Sequence, residues 1–307
     1  MNTTLQGVLG DLFASNELNR LPEQYGGARI FARLLIGVAR GDDPIFAAFK
    51  SVVGPEHLTP VEMWVQSGLP DSEGLAGRLR VSSVVFPYAS RIREAGAANQ
   101  GHMPPEIYCV ARNFADSFIR AALDTATRFF QECGYRATSP MSSSAYQLLS
   151  KDESGSVYAN WSERHVAFAA GLGTFSLQEA LITPVGCNTR MGSVITDAPL
   201  TVSPRTSDEP RANCLYFAAG ACGACIARCP AGAITKDGHD KRKCRLYGQR
   251  VREDMLGRAL RSILKPKHLR IDNQDRITCS VGCGLCQFGV PCTDRNPTAT
   301  LQKGRHA

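Results

Sequence analysis

Apolar residues recur at helical spacing between residues 113 and 130, at Phe114, Phe118, Ala122, Ala126, Phe129 and Phe130, and predict the clearest amphipathic helix of the chain. Its aromatic stripe reads as core rather than as a cofactor face. The first eighty residues mix helical pattern and turns: ARIFARLLIGVAR is apolar on most sides, as a buried segment would be, and VEMWVQSGLPDSEG runs into a Gly/Pro turn. The short β-branched run in RVSSVVFPYAS predicts a strand. SPMSSSAYQLLSKDESGS is polar and small, the composition of a loop. Ser162 is placed to cap a short helix over ERHVAFAAG, which Gly171 would terminate. EALITP and MGSVITDAPL predict two strands joined by the turn VGCNTR, and DKRKCRLYGQRVREDMLGRALRSIL predicts a basic helix. The alternation of helices and strands to about Leu200 predicts one α/β or α+β domain over residues 1–205, followed by a smaller cysteine-rich module over residues 206–307.

The 307 residues, 43% of them hydrophobic, suffice for a sizeable core. No run of 18 apolar residues occurs, and the start MNTTLQGVLGDLF has neither a charged n-region nor an Arg pair, so the expectation is a cytoplasmic protein with no membrane span. The formal charge of +7 allows a nucleic-acid partner. A more economical source is compensation of locally concentrated negative charge by nearby Lys and Arg.

Nine of the twelve cysteines lie between Cys214 and Cys292, a clustering that favours metal over disulfides. ACGACIARCP contains Cys222, Cys225, Cys229 and Pro230, the end of a C-x2-C-x2-C-x3-C-P run whose first position is Ala219. Cys214 is the nearest replacement for the absent ligand. The second group is Cys244 with Cys279, Cys283, Cys286 and Cys292. Two-cluster ferredoxins exchange ligands between their runs. That rule assigns Cys214, Cys222, Cys225 and Cys292 to one 4Fe-4S cluster and Cys229, Cys244, Cys283 and Cys286 to another, leaving Cys279 over. Two C-x2-C pairs also suit zinc, but Pro230 after Cys229 and the AGAI continuation belong to the ferredoxin-type turn. Cys109 and Cys133 read as small buried hydrophobes and Cys187 as an ordinary turn cysteine.

SERHVAFAAGLG, then ALITPVG, MGSVITDAPL and two cysteine groups in this order resemble epoxyqueuosine reductases and reductive dehalogenases over about residues 80–293, and more loosely at LLIGVAR. The resemblance implies a nitroreductase-related, cobalamin-binding α/β domain followed by a ferredoxin-like module with two 4Fe-4S clusters. Glu163, Arg164, Ala167, Ala170, Gly171, Leu172 and Gly173 match the family pattern E-R-x2-A-x2-A-G-L-G, and by that resemblance Gly171, Leu172 and Gly173 border the corrin site. Val157 stands where epoxyqueuosine reductases carry a proton-donating Asp, and Asp152 lies too far upstream to replace it. Dehalogenases use a Tyr donor, and Tyr158 is one position from the aligned site. GLGTFS and CGLCQFGVPC look closer to a separate subgroup than to either enzyme.

The implied activity is reductive cleavage of a small-molecule or nucleoside substrate. Low-potential electrons would pass from a ferredoxin or flavodoxin through the clusters to cobalamin, with flavin as the next candidate cofactor. The competing reading is a ferredoxin-like electron carrier with no substrate of its own. A tRNA-directed reductase using the basic stretch 241–252 is a third reading, less favoured because those charges surround Cys244.

Overall fold

The computed structural model describes residues 1–150 and 157–299, and its fold is mixed α+β. The strand Arg80–Pro87 is buried along nearly its whole length. Successive side chains leave a strand on opposite faces. Val84 and Phe86 therefore enter a core shared with the long helix Glu106–Glu132, while Val81 and Val85 enter a second core with Trp64, Trp161 and the helix Glu163–Ala169. Burial on both faces accounts for the unbroken apolar run VVF. The strand pairs antiparallel with Leu35–Arg40 on one side and Thr189–Thr196 on the other, and Ala137–Thr138 completes this sheet.

ARIFARLLIGVAR is buried only in part, and its structured portion is the strand Leu35–Arg40 rather than a helix. The long helix begins at Glu106, seven residues ahead of the expected stretch, because Tyr108, Cys109, Val110 and Ala111 also bury against the core. Pro104 and Pro105 disfavour helix before it, and Gly134 at φ +84° follows its end. EALITP contributes only the two-residue strand Leu181–Ile182, paired with Thr174–Phe175. The basic helix spans Lys241–Gly257 and is capped by Asp240, whose side chain accepts from the Lys243 amide.

A hairpin of Pro266–Ile271 and Gln274–Cys279 follows. Ile271 pairs with Leu148, so the hairpin extends a second sheet formed by Leu148–Ser150 and Val157–Ala159. The expected loop after Ser139 therefore contains a strand; its residues 151–156, including Asp152, lie outside the described residues. The C-terminal third also joins the first core through Val251, Met255, Leu260, Leu264 and Phe288. Among the described residues, no helix is long and apolar enough to cross a membrane.

Candidate functional site

A cavity of about 770 Å³ lies where segments far apart in the sequence meet. The helix Ile45–Val52 supplies an apolar wall through Ile45, Phe49 and Val52, and Arg112 of the long helix, Arg190 and Lys267 supply a cationic one. The helix Glu163–Ala169 forms a further side. Ser162 occupies its N-cap position as expected, but the hydroxyl makes no capping bond and instead pairs with His165 Nδ1 at 2.8 Å. Ser162's own amide donates to His57 Nε2 at 3.1 Å. Burial drives the His57 pKa down to about 4 and, together with the adjacent Arg164, that of His165 to about 3, so both rings are neutral near pH 7.

Gly171 and Gly173 have local reasons to be glycine. Gly171 sits at φ +75°, and a Cβ there would lie 2.4 Å from the Pro204 carbonyl oxygen; a Cβ on Gly173 would lie 2.3 Å from that of Ile182. Leu172 packs against Gly37. These three residues shape the turn that places Phe175 on the cavity wall, but they do not themselves line the cavity. Tyr158 does line it, with its ring held close over Gly54 and its hydroxyl donating to Glu56.

Glu163 lines the cavity, yet both its carboxyl oxygens are sealed from solvent and neither completes a hydrogen bond. Burial pushes its pKa up to about 8, against a weaker opposing pull from the hydroxyl and amide of Ser193, which approach without reaching bonding geometry. Asp116 behaves oppositely. Burial alone would raise its pKa, but Arg190 at 3.4 Å and Lys267 at 2.6 Å outweigh that and, with Ser280 donating at 2.7 Å, hold it at about 2. Glu179, at the other end of the cavity, is likewise held at about 2: burial opposes ionisation, and His239, Lys241 and Arg164 overcome it. None of these acids was singled out for such a role from sequence. Their partners come from segments far along the chain, and no local pattern announces them.

The cysteines fall into two groups. Cys214, Cys222, Cys225 and Cys292 line one small pocket. Burial raises the Cys225 thiol pKa to about 12, with Cys292, Cys214 and Cys222 adding to the effect. Cys229, Cys244, Cys283 and Cys286 form the second group: burial raises Cys283 to about 11 and Cys286 further, and in both cases Cys244 and Cys229 push the same way. Buried thiols gathered together are costly to ionise, and bound iron would supply compensating positive charge. Among the described residues, no three His, Cys, Asp or Glu side chains converge as ligands of a single metal ion. A 4Fe-4S cluster makes a different demand, because its thiolates surround a cube of atoms rather than one point.

Cys279 ends its strand opposite Pro266 and packs against the hydrophobic core. Cys109 is fully buried in the long helix, as expected, whereas Cys133 is exposed where that helix ends. Cys187 departs from the reading as an ordinary turn cysteine. It is buried, it lines the large cavity, and its sulfur lies 3.7 Å from that of Cys292.

No family model matches the chain, and no curated protein matches it. Solved structures to which it is similar include a selenomethionine-labelled epoxyqueuosine reductase, at 16% identity over 84% of this chain and 61% of that one, TM-score 0.44. The epoxyqueuosine reductase from Streptococcus thermophilus is 13% identical over 97% of this chain and 70% of that one, TM-score 0.47. A catabolic reductive dehalogenase in complex with 3-bromo-4-hydroxybenzoic acid is 14% identical over 99% of this chain and 38% of that one, TM-score 0.47. The chain thus spans 61% of the first of these proteins and 38% of the last. At such identities and scores, the chemistry has to be argued from this chain's own residues.

Proposed function

We propose that this chain is an iron-sulfur reductase. In this reading a ferredoxin-like module over residues 206–307 holds two 4Fe-4S clusters, one on Cys214, Cys222, Cys225 and Cys292 and the other on Cys229, Cys244, Cys283 and Cys286. A nitroreductase-related domain over residues 1–205 supplies most of the large cavity, with Lys241, Lys267 and Gln287 among the residues of the second region that complete it, and the cavity receives an organic redox cofactor, with a corrinoid as the first candidate and a flavin as the second. The observation that carries the reading is adjacency: Cys292 of the first cysteine group touches Cys187, and Cys187 belongs to the cavity wall. Electrons held on that group have a short route inward.

The wall suits a large group with apolar faces and a polar rim. Ile45, Phe49 and Val52 would pack against its faces, and Arg112, Arg190 and Lys267 would meet polar or anionic substituents. Reduced cobalt in a corrinoid supplies a strong nucleophile and reductant suited to cleaving carbon–halogen or carbon–oxygen bonds. Around it, this chain's residues would orient the substrate, exclude water and deliver a proton. Tyr158 remains the proposed donor because its phenol stands at the cavity, although its hydroxyl donates to Glu56 and would have to turn from that carboxylate to reach a substrate. Gly171, Leu172 and Gly173 would act by holding the turn behind the site. The electron donor would be a ferredoxin or flavodoxin. A tRNA partner at residues 241–252 is not favoured, since Lys241 is drawn to Glu179 at 3.4 Å and Arg252 donates to Thr278 at 3.0 Å.

The test is anaerobic reconstitution followed by titration with cobalamin. About eight irons with negligible zinc are expected, with 4Fe-4S signals on reduction and a cobalamin spectrum that moves towards reduced cobalt under low-potential reductant. Four irons would remove the second cluster. Failure of the folded, cluster-loaded chain to bind any corrinoid would favour a flavin or an electron carrier without its own substrate.

A further inference from the structure

Cys187 is fixed in place by more than its own packing. Its amide donates to the Cys292 carbonyl at 2.8 Å, and the Asn188 amide donates to the Thr293 carbonyl at 3.2 Å, so residues 187–188 are strapped to residues 292–293. Gly186, at φ +86°, lets the two segments approach, since a Cβ there would stand 2.3 Å from the Thr293 carbonyl oxygen. Arg93 holds the strap from behind by donating to the Val185 carbonyl at 3.2 Å. Within this arrangement the Gln178 side-chain amide donates to the Cys187 sulfur at 3.5 Å, and the Cys187 thiol donates to the Cys292 sulfur at 3.7 Å. The three side chains form a directed series that ends on a sulfur of the first cysteine group.

We infer that Cys187 is a positioning residue for the cluster on Cys214, Cys222, Cys225 and Cys292, and that its thiol raises the reduction potential of that cluster alone by hydrogen bonding to the Cys292 sulfur. This rests on the two-cluster reading above. The physical cause is general. Reduction adds negative charge that spreads onto the ligating sulfurs, and a donor aimed at one of them stabilises the reduced state more than the oxidised one. The Cys187 sulfur cannot serve as a fifth equivalent ligand while its hydrogen is committed to Cys292. Its position on the cavity wall also places the tuned cluster beside the cavity. Cys286 of the second group is near enough to add to the rise of the Cys187 thiol pKa, but among the described residues that group makes no hydrogen bond to the Cys187 sulfur, and it serves as the internal reference for the direct bond.

The experiment compares the reconstituted wild-type chain with Cys187→Ala, Cys187→Val and Cys187→Ser, measuring iron content and then both midpoint potentials by redox titration followed with electron paramagnetic resonance. A wild-type chain that holds no clusters sinks the two-cluster reading before any variant is made. With clusters present, Ala and Val should keep the wild-type iron content and move one potential downward, while the other stays fixed. Ser retains a donor and should stay near the wild type. Unchanged potentials in Ala and Val would overturn the inference. So would equal shifts of both clusters, or loss of iron in all three variants, which would make Cys187 a ligand. Val keeps the side-chain volume, so a void left by Ala cannot produce the same pattern by itself.

Discussion

Glu163→Gln is the substitution whose effect follows most directly from the burial of a single group. The folded chain keeps the Glu163 proton to about pH 8, whereas the unfolded chain releases it near the ordinary value of 4.5. Between those values the folded state binds more protons than the unfolded one, so wild-type stability falls as pH rises. The slope approaches about 1.4 kcal/mol per pH unit, which accumulates to roughly 3 kcal/mol at pH 7 and about 5 kcal/mol once pH passes 8. Below pH 4.5 the carboxyl is protonated in both states and contributes no pH dependence. Gln has no proton to lose, but its amide would inherit a site with no hydrogen-bond partner, at a cost that does not change with pH. The informative quantity is therefore the difference between the two proteins as a function of pH. Urea unfolding followed by far-UV circular dichroism at pH 4.5, 6, 7 and 8.5 should show Glu163→Gln gaining on the wild type at each step and levelling off above pH 8. Two stability curves that run parallel over this range would refute the reasoning and mean that the carboxyl is hydrated in the folded chain.

Asp116→Ala strands Arg190 and Lys267 in a half-buried setting and should lower stability by about 3 kcal/mol or more, read from thermal melts; a loss below about 1 kcal/mol would show the cluster to be solvent-screened. Since the Asp116 pKa is depressed, its contribution should be complete above pH 3.8 and vanish as pH falls towards 2. Cys214→Ser should halve the iron retained after reconstitution, whereas Cys279→Ser, whose thiol packs against the core, should leave it near normal; the reverse pattern would reassign the ligands. Gly173→Ala should cost about 1–3 kcal/mol, because the new methyl meets the Ile182 carbonyl rather than a side chain that can turn aside. An unchanged melting temperature would show that the turn yields freely.

The C-x2-C pairs Cys222/Cys225 and Cys283/Cys286 were legible as candidate ligands because covalent geometry lets thiols with two residues between them face one site wherever the rest of the chain goes, whereas local spacing says nothing of which distant cysteine joins each pair. The long helix was legible in its middle, where Phe118, Ala122 and Ala126 share a buried face, but not at its start, since EIYCVAR offers no polar face to mark a period. The hairpin Pro266–Cys279 was missed although KHLRIDNQDRIT alternates and carries its turn at Asp272 and Asn273, at φ 48° and 62°. Most of its residues are only partly buried or exposed, so hydrophobicity alone gave a faint signal. The cavity could not be read from sequence at all. Ile45, Arg112, Glu163, Arg190 and Lys267 lie far apart in the sequence and meet only in the folded chain.

In the proposed reductase, the charges around that cavity would give electron delivery a direction. Arg112, Arg190 and Lys267 line one side and are answered there by Asp116, while the side-chain Nε–H groups of both arginines have no hydrogen-bond partner. Glu163, an acid sealed into the cavity wall, carries its proton at neutral pH and adds no negative charge. An electron entering this space thus arrives beside excess positive charge in surroundings that screen poorly, and is stabilised by it. The cysteine groups present the contrary situation, since each cluster would already hold four thiolates. Transfer from the clusters inward moves negative charge away from like charge and towards cations. A donor hydrogen bond from Cys187 would partly offset that gradient at the last cluster, holding the electron there until the cavity is filled by a group able to accept it.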